Sequence, residues 1–418
     1  MTQVADAVRE CAEAAHAAAG SIAAAGADTV DAALLAIAER LLDRADAVLA
    51  ANKADVDGAD LPPAMVDRLR LDPARLDGMA HQLRVLAEVP HPQWSRVVRE
   101  LPGALVEERR KPVGVIGANF EARPNVVVDI ASQLLKSRNA GVLRTGSAAI
   151  GSAAALLDEV IAPALAASGL DPAAIQLVRL PGRDTARALV AQPDLVPLVI
   201  LRGSGDSTRE LTAEAARHGV RTLAHADGGG VLYLDRAADA GKALDLIEQS
   251  LDRLGVCNRL NLLLIHRDRW DDLLPGVREV LDRLGIAASL PPHDHPLGLE
   301  WALQDGREAT VTIAAVDGPA AAARLADAET SGLAAGIATE DPAAATDFLD
   351  TYGGTGAFWN VTTRLLDGFK LLGVPETGIN VDRLPGPRGP VTFLDLHLRQ
   401  FVVTQRSHPL PSRTVGPP

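Results

Sequence analysis

Apolar positions recur at helical spacing through residues 4–19 and 28–50, with acids and arginines between them, so both stretches predict amphipathic helices. Ala51-Asn52-Lys53 closes the second. Pro62-Pro63 suits the first turn of another short helix, and 74–88 repeats the helical pattern. Val89 to Trp94 holds two prolines and predicts a loop. A helical layer over roughly the first 100 residues follows. The texture then changes. Ala104–Arg110 is extended and edge-like, and Pro112–Gly117 is a compact β-branched strand. From Pro124 onward helices (124–136, 148–167, 183–191, 207–217) alternate with strands (141–144, 176–178, 195–200, 221–224). After Gly228-Gly229-Gly230 the alternation resumes. Strands fall at 231–234, 260–265 and near 310–315, 335–338 and 357–360. Helices fall at 238–253, 269–284, 319–328 and 341–350. This order predicts α/β architecture with parallel sheets covered on both faces, and a second domain from about Gly228. Residues 393–403 alternate apolar and polar as a late strand that needs a partner. With 104–111 it is expected to form an arm that joins subunits.

Composition narrows the field. The 418 residues are 47% hydrophobic and 23% charged, a globular balance for two to three domains, with only 3% aromatics. A net charge of −13 argues against a nucleic-acid partner, which needs a basic face. Two cysteines form no disulfide framework and no zinc spacing, as expected in the cytoplasm. The N-terminus lacks a basic signal region. No apolar run of 18 residues escapes charge or Gly/Pro breaks, so no membrane span is expected.

Four stretches carry candidate chemistry. Cys257 lies in Gly255-Val256-Cys257-Asn258 before the apolar run 262–265, either a nucleophile or a small buried hydrophobe. Leu201–Ser207, with Gly203 and Ser204 between strand and helix, either seats a phosphate or turns the chain. His225-Ala226-Asp227-Gly228 ends a strand, either beside a ligand or as an Asp-Gly turn. Arg123 and Asn125 flank Pro124, either as donors to an anionic group or as a solvated arginine and a helix cap.

Taken together, these motifs resemble the gamma-glutamyl phosphate reductase (glutamate-5-semialdehyde dehydrogenase) branch of the aldehyde dehydrogenase superfamily. The likeness runs through 112–117, Phe120–Val126, Leu135–Ala140, Arg202–Ser204, His225–Gly228, Cys257-Asn258, Asn360, Thr363-Arg364, Asp367-Gly368, Glu376, Gly378-Ile379 and Arg388–Pro390. It implies an aldehyde dehydrogenase-like α/β fold: a Rossmann-type cofactor domain, an α/β catalytic domain and a β oligomerisation arm. Residues 1–227 are the cofactor domain, with 364–385 returning to it and 101–112 entering the arm. Residues 228–363 are catalytic, 386–405 form the arm, and 406–418 are a loose tail.

The resemblance also implies roles. Cys257 takes the acyl group from an acyl phosphate as a thioester, which NADPH or NADH reduces to the aldehyde. The N–H groups of Cys257 and Asn258 are oxyanion donors, with Asn125 a third candidate. Gly203, Ser204, Gly228, Glu376 and Arg144 hold the cofactor, Glu376 at the nicotinamide ribose and Arg144 at the adenine-side ribose. Arg123, Asn360, Arg364 and Arg388 bind substrate. His225 stands where hydrolysing relatives carry a glutamate base, as proton donor or as orienter of the thiol. A homodimer or homotetramer and a glutamate 5-kinase-like partner are implied, and no metal.

The chain departs from the branch at Arg259 and Asn261, at Thr145-Gly146-Ser147 in place of glycine-glycine-lysine, and at Leu333 and Gly386-Pro387 in place of histidines. The approach to Glu376, Leu372-Gly373-Val374-Pro375, is also altered. Ser147 removes a cation suited to a 2′-phosphate. The changes at Asn261, Ser147 and Leu333 keep open a reductase of another acyl phosphate in a specialised pathway, whereas the retained Cys257, Glu376 and Gly203-Ser204 argue against the remaining alternative, a non-catalytic kinase-binding relative.

Overall fold

The computed structural model describes residues 2–61, 63–203, 205–225, 228–304, 306–382 and 386–406. An N-terminal helical layer is built from Thr2–Ala24, Ala27–Asp43, Ala45–Asp57, Pro63–Leu69 and Pro73–Glu88. The first helix buries Val8, Ala12, Ala15, Ala18 and Ile22, one stripe at helical period. The helix expected over 28–50 breaks at Arg44 (φ −104°, ψ 15°). Its apolar stripe changes partner there: Val30–Leu41 faces Pro73–Glu88, whereas the next helix turns Val48 and Asn52 toward the helix at 150–155. Asn52, expected at a helix end, is instead buried within one. It donates to Leu69 O (2.9 Å) and Ser152 Oγ (3.0 Å) and accepts from Leu71 N (2.6 Å).

Five parallel strands form the first sheet, in the spatial order Ile175–Leu177, Ala140–Arg144, Val115–Asn119, Leu198–Arg202, Arg221–His225. The order reverses around Val115–Asn119. A crevice therefore opens beside its carboxyl end, where Asn119, Arg144, Arg202 and His225 end their strands. The strand expected at 195–200 starts three residues later, because Leu195 and Val196 close a turn onto Gln192 O.

The run Ser147–Ala167 is long and apolar enough to cross a membrane by length and composition, though Gly151, Asp158, Glu159 and Pro163 interrupt it, as expected of every such run in the sequence. Half of it is buried inside the protein, with Leu156, Leu157, Val160 and Ile161 in the core. Its middle, Leu156–Ile161, is π-helical. Pro163 supplies no N–H to Glu159 O, four residues back. That carbonyl accepts from Arg40 Nε (3.3 Å) and Nη2 (3.1 Å) instead.

A second, six-stranded parallel sheet runs Ala287–Ser289, Thr310–Val316, Leu260–His266, Gly230–Leu234, Ala334–Ala338, Gly356–Trp359. Separate apolar clusters cover its two faces. The late strand finds its partner in this same chain. His397–Gln405 pairs antiparallel along the whole of Ala104–Pro112, which also pairs with Ser95–Leu101. That last strand is exposed on nearly every residue and so carries no burial pattern in the sequence. Phe393–Asp395, expected as strand, is a 3-10 turn closed by a Thr392/Asp395 capping box. Of the loose tail expected at 406–418, Arg406 is tied to the three-stranded sheet, donating from N to Gly103 O (2.9 Å) and from Nη2 to Glu100 Oε2 (2.8 Å), and 407–418 lie outside the described residues.

One buried charge ties the helical layer to the first sheet. Lys136 is fully buried, and its Nζ lies 2.7 Å from Asp31 Oδ1 and 3.2 Å from Ala87 O; His91 Nε2 reaches Asp31 at 3.0 Å. Asp31→Ala strands the ammonium without a carboxylate and is expected to cost about 3 kcal/mol. The readout is a lower urea midpoint, against Asp28→Ala as an exposed control; equal midpoints for the two variants would contradict this account.

Candidate active site

The thiol sits at the amino end of the second sheet and faces the charged carboxyl edge of the first. Residues 250–259 link the helix Ala240–Gln249 to the strand Leu260–His266 without regular structure. The glycine run holds this turn. Gly229 N donates to Cys257 O and Gly230 N to Arg259 O, both at 2.6 Å. A Cβ on Gly228 would lie 2.6 Å from Cys257 O and 2.7 Å from its Cα. The close approach that the glycines permit is thus made by the backbone of Cys257. Gly228 was expected at the cofactor; its N–H goes to Glu300 Oε2 at 2.8 Å. Asp227 and Ala226 lie outside the described residues.

Cys257 is half-buried and packs against an apolar cluster formed by Leu333, Ala334, Phe358, Leu366, Ile379 and Val381. Burial pushes the thiol up to about 11, with Glu300 and Glu376 adding to the rise and Arg123 and Arg202 opposing it. Neither Cys257 N–H nor Asn258 N–H makes a hydrogen bond among the described residues, so both are available to an oxyanion. The Asn258 side chain is spent on the scaffold. Its Nδ2 donates to Leu366 O (2.9 Å) and its Oδ1 accepts from Arg364.

His225 shares the charged neighbours Arg202, Glu300 and Glu376 with the thiol. Its Nδ1 lies 3.0 Å from Ile379 O. A carbonyl only accepts, so Nδ1 carries the hydrogen and Nε2 keeps a lone pair. Burial and then Arg202 hold the imidazole below its ordinary range, neutral at pH 7. Glu376 is raised to about 7, chiefly by burial, and its Oε2 has no hydrogen-bond partner among the described residues. An orphaned, buried carboxylate oxygen at this place fits a sugar hydroxyl, so the residues present suit a nicotinamide dinucleotide. Gly203 follows the strand Leu198–Arg202 just before the helix Gly205–His218, a junction whose chemistry suits a phosphate group. Ser204 lies outside the described residues. Arg144 reaches Thr185 Oγ1 (3.0 Å), Asn119 Oδ1 (3.2 Å) and Gly182 O (2.7 Å), beside a small cavity lined also by Arg183, Arg187 and Ser207.

Arg123 lies beside the thiol, its Nε 3.2 Å from Glu121. Asn125 donates to Asp129 Oδ2 at 3.1 Å, and burial raises Asp129 to about 6. The other residues expected at the substrate are committed elsewhere. Asn360 (φ 53°) accepts from Thr339 N and donates to Thr339 O, bridging two strand ends. Arg364 pairs with Asp252 at 2.6 Å. Arg388 donates to Val381 O at 3.0 Å and to Gly353 O. Each guanidinium or amide fastens a loop around the cleft.

Arg202 was quoted within a motif and given no role. Its charge acts on Cys257, His225, Glu376, Asp129 and Arg123, and its Nη1 donates to Thr377 O at 3.0 Å. Its place at a strand's carboxyl end is the signal that marks it. Glu300 comes from an irregular Pro/His-rich loop, and no sequence pattern marks it. No group of three or more His, Cys, Asp or Glu suited to a metal occurs among the described residues.

A lone thiol between a Rossmann-type sheet and a second parallel sheet defines an aldehyde dehydrogenase, and residues 2–295 match the aldehyde dehydrogenase family, to which the chain belongs. Within it the relatives are specific. The gamma-glutamyl phosphate reductase of Chloroflexus aggregans is 36% identical over 404 residues, covering 91% of this chain and 93% of that protein. That of Chloroflexus aurantiacus is 37% identical over 391 residues, covering 88% and 90%. The crystal structure of the Thermotoga maritima gamma-glutamyl phosphate reductase superposes with a TM-score of 0.86 at 26% identity, over 96% of this chain and 99% of that one. A nicotinamide cofactor goes with this family.

The charge balance around the thiol is measurable. In nucleotide-free protein, alkylation by iodoacetamide should rise with pH to an inflection near 11, against about 8.5 for a free cysteine. Glu300→Gln keeps an acceptor for Gly228 and removes a negative charge, so the inflection should fall. An inflection near neutrality in the unsubstituted protein would contradict this balance.

Proposed function

We propose that the chain reduces gamma-glutamyl phosphate to glutamate-5-semialdehyde and inorganic phosphate, with NADPH as reductant and a thioester on Cys257, serving proline synthesis in the cytoplasm. The observation that carries this reading is the half-buried Cys257 between the guanidinium charges of Arg123 and Arg202, with the unpaired Glu376 Oε2 across the cleft. The acyl phosphate brings negative charge to a site that already holds two cations. Their field lowers the energy of the thiolate as it attacks the acyl carbon. The C–O bond to phosphate breaks, and the thiol proton leaves with the phosphate, through the Nε2 lone pair of His225. The Cys257 and Asn258 N–H groups hold the oxyanion. The cofactor, when bound, supplies the hydride. The C–S bond then breaks, the aldehyde leaves and the thiol takes up a proton.

NADPH is preferred over NADH on charge. The strand Ala140–Arg144 ends in a cation, where NAD-selective sheets of this type place a carboxylate for the ribose 2′-OH. Arg187 is neutralised by Glu210 and Asp184, whereas Arg183 has no ion pair among the described residues. Arg183 therefore supplies the cation that Ser147 lacks. The sheet Ser95–Leu101, Ala104–Pro112 and His397–Gln405 exposes Leu398 (55%), Phe401 (55%) and Val403 (62%), and is the surface through which copies associate as a homodimer or homotetramer.

A second reading, reduction of another acyl phosphate, rests on Leu333. That residue is fully buried in the apolar cluster against which Cys257 packs, so this departure touches the nucleophile. Arg259 and Asn261 do not: Arg259 donates to Glu308 O and Thr310 O, and Asn261 braces Leu299 and Trp301.

Run in the oxidative direction, glutamate-5-semialdehyde, phosphate and NADP+ should give NADPH, and Cys257→Ser should lower the rate roughly a thousandfold or more. An active Cys257→Ser removes the thioester; an active enzyme that turns over other aldehydes and not this one moves the substrate to the second reading. By calorimetry, Arg183→Ala should weaken adenosine 2′,5′-bisphosphate about tenfold and leave 5′-AMP within about twofold, the worth of one charge-assisted contact. Equal losses on both ligands would put Arg183 outside the phosphate subsite.

A further inference from the structure

We infer that Arg68, from the helical layer, is a positioning residue for the catalytic thiol, bridging the nucleophile turn to the loop that carries Arg123. The inference rests on the reading of Cys257 as nucleophile. The helix Pro63–Leu69 is remote in sequence from every motif of the site, yet its arginine reaches two of them. Arg68 Nη2 donates to Gly255 O at 2.8 Å, two residues before the thiol. Its Nη1 lies 3.6 Å from Glu121 Oε2. The same carboxylate oxygen holds Arg123 Nε at 3.2 Å, and Arg123 is the nearer-acting of the two cations on Cys257. One planar guanidinium thus fixes the separation between the thiol's turn and the cation that favours its thiolate.

The surroundings make the bridge firm. Arg68 and Glu121 are both largely shielded, with side-chain exposures of 16% and 25%, so the pair acts in a lower dielectric than a surface pair. The helix bearing Arg68 is anchored one residue on, where Leu69 O accepts from the buried Asn52. Asp67 meets Arg253 at 3.6 Å, a second tie to the same turn. The Glu121 end is held by Thr145 Oγ1, which donates to Glu121 O at 3.1 Å. At its far end the turn is fastened by Asn258, Arg259 and the glycine run. At its near end the ties are Arg364–Asp252, Asp67–Arg253 and Arg68–Gly255, the last being the one nearest the thiol. Removing Arg68 frees the segment just ahead of the thiol and leaves Glu121 to neutralise Arg123 alone.

The test separates bridging from charge. Arg68→Lys keeps the charge and loses the two-pronged geometry; Arg68→Ala loses both. The groups acting on the thiol are Glu300, Arg123, Glu376 and Arg202, and neither variant removes any of them. Arg68→Ala should lower kcat about tenfold to a hundredfold, the scale of a misplacement near 1 Å, with the NADP+ dissociation constant within about twofold of the parent. Its iodoacetamide inflection should move to higher pH. Arg68→Lys should lose kcat by about tenfold and keep the inflection. Parental kcat in Arg68→Lys, or an unshifted inflection with parental kcat in Arg68→Ala, overturns the proposal. If Arg68→Ala does not fold, Arg68→Lys and Arg68→Gln decide it by the same two readouts. Alkylation needs no substrate, so these outcomes stand apart from a failed nucleophile, which Cys257→Ser reports.

Discussion

A thiol taken out of water resists ionisation, and the rest of this cleft answers that resistance. Desolvation is the largest influence on Cys257, and two carboxylates deepen it. Arg123 and Arg202 work against them, one from the loop after the strand Val115–Asn119 and one from the end of Leu198–Arg202. The two cations thus belong to the first sheet and the thiol to the second. Reactivity depends on how the two sheets are held together, not on any single neighbour. That is why so many polar side chains near the cleft, among them Arg364, Arg388, Asn360 and Asn258, are spent on carbonyls and loops.

Burial has a second consequence. A thioester among Leu333, Phe358, Leu366 and Ile379 is shielded from water, and the residue in the base position is a neutral histidine with Nδ1 fixed on a carbonyl. Such a histidine passes a proton without carrying a negative charge toward the thiol. A glutamate there would add a third carboxylate to Glu300 and Glu376 and make the thiolate harder still to form. The chemistry of acyl transfer to hydride, not to water, fits this balance.

The alternation of strand and helix made both sheets legible before any coordinates, because period-2 and period-3.6 apolar patterns report burial directly. Where burial gave no pattern the reading failed. Ser95–Leu101 is exposed along its length, and the break at Arg44 follows a change of packing partner that a continuous apolar stripe conceals. In the site, Cys257, His225 and Arg123 stood out as residue types at strand ends and turns, whereas Glu376 was marked only by the family resemblance. Arg68 and Glu300 were marked by neither. Their roles come from contacts to Gly255 O and Gly228 N across more than seventy residues, and a backbone acceptor leaves no trace in the sequence. The family resemblance also assigned Asn360, Arg364 and Arg388 to substrate, whereas their geometry shows scaffold bonds.

The departures divide along the same line. Arg259 is buried and held near 10 by desolvation, with its donors on main-chain carbonyls of the neighbouring strand. Asn261 accepts from Trp301 N and donates to Leu299 O, and so presents Glu300, which lies between them, to Gly228. Both exchanges act behind the thiol and adjust its support. Leu333 alone stands in the apolar cluster that the thiol packs against, and a leucine there removes a ring that could hold or move a proton. On the proposed reading, the thiol's proton is left to His225, whose Nδ1 is held on Ile379 O, and the acyl chain meets the apolar wall beside Leu333.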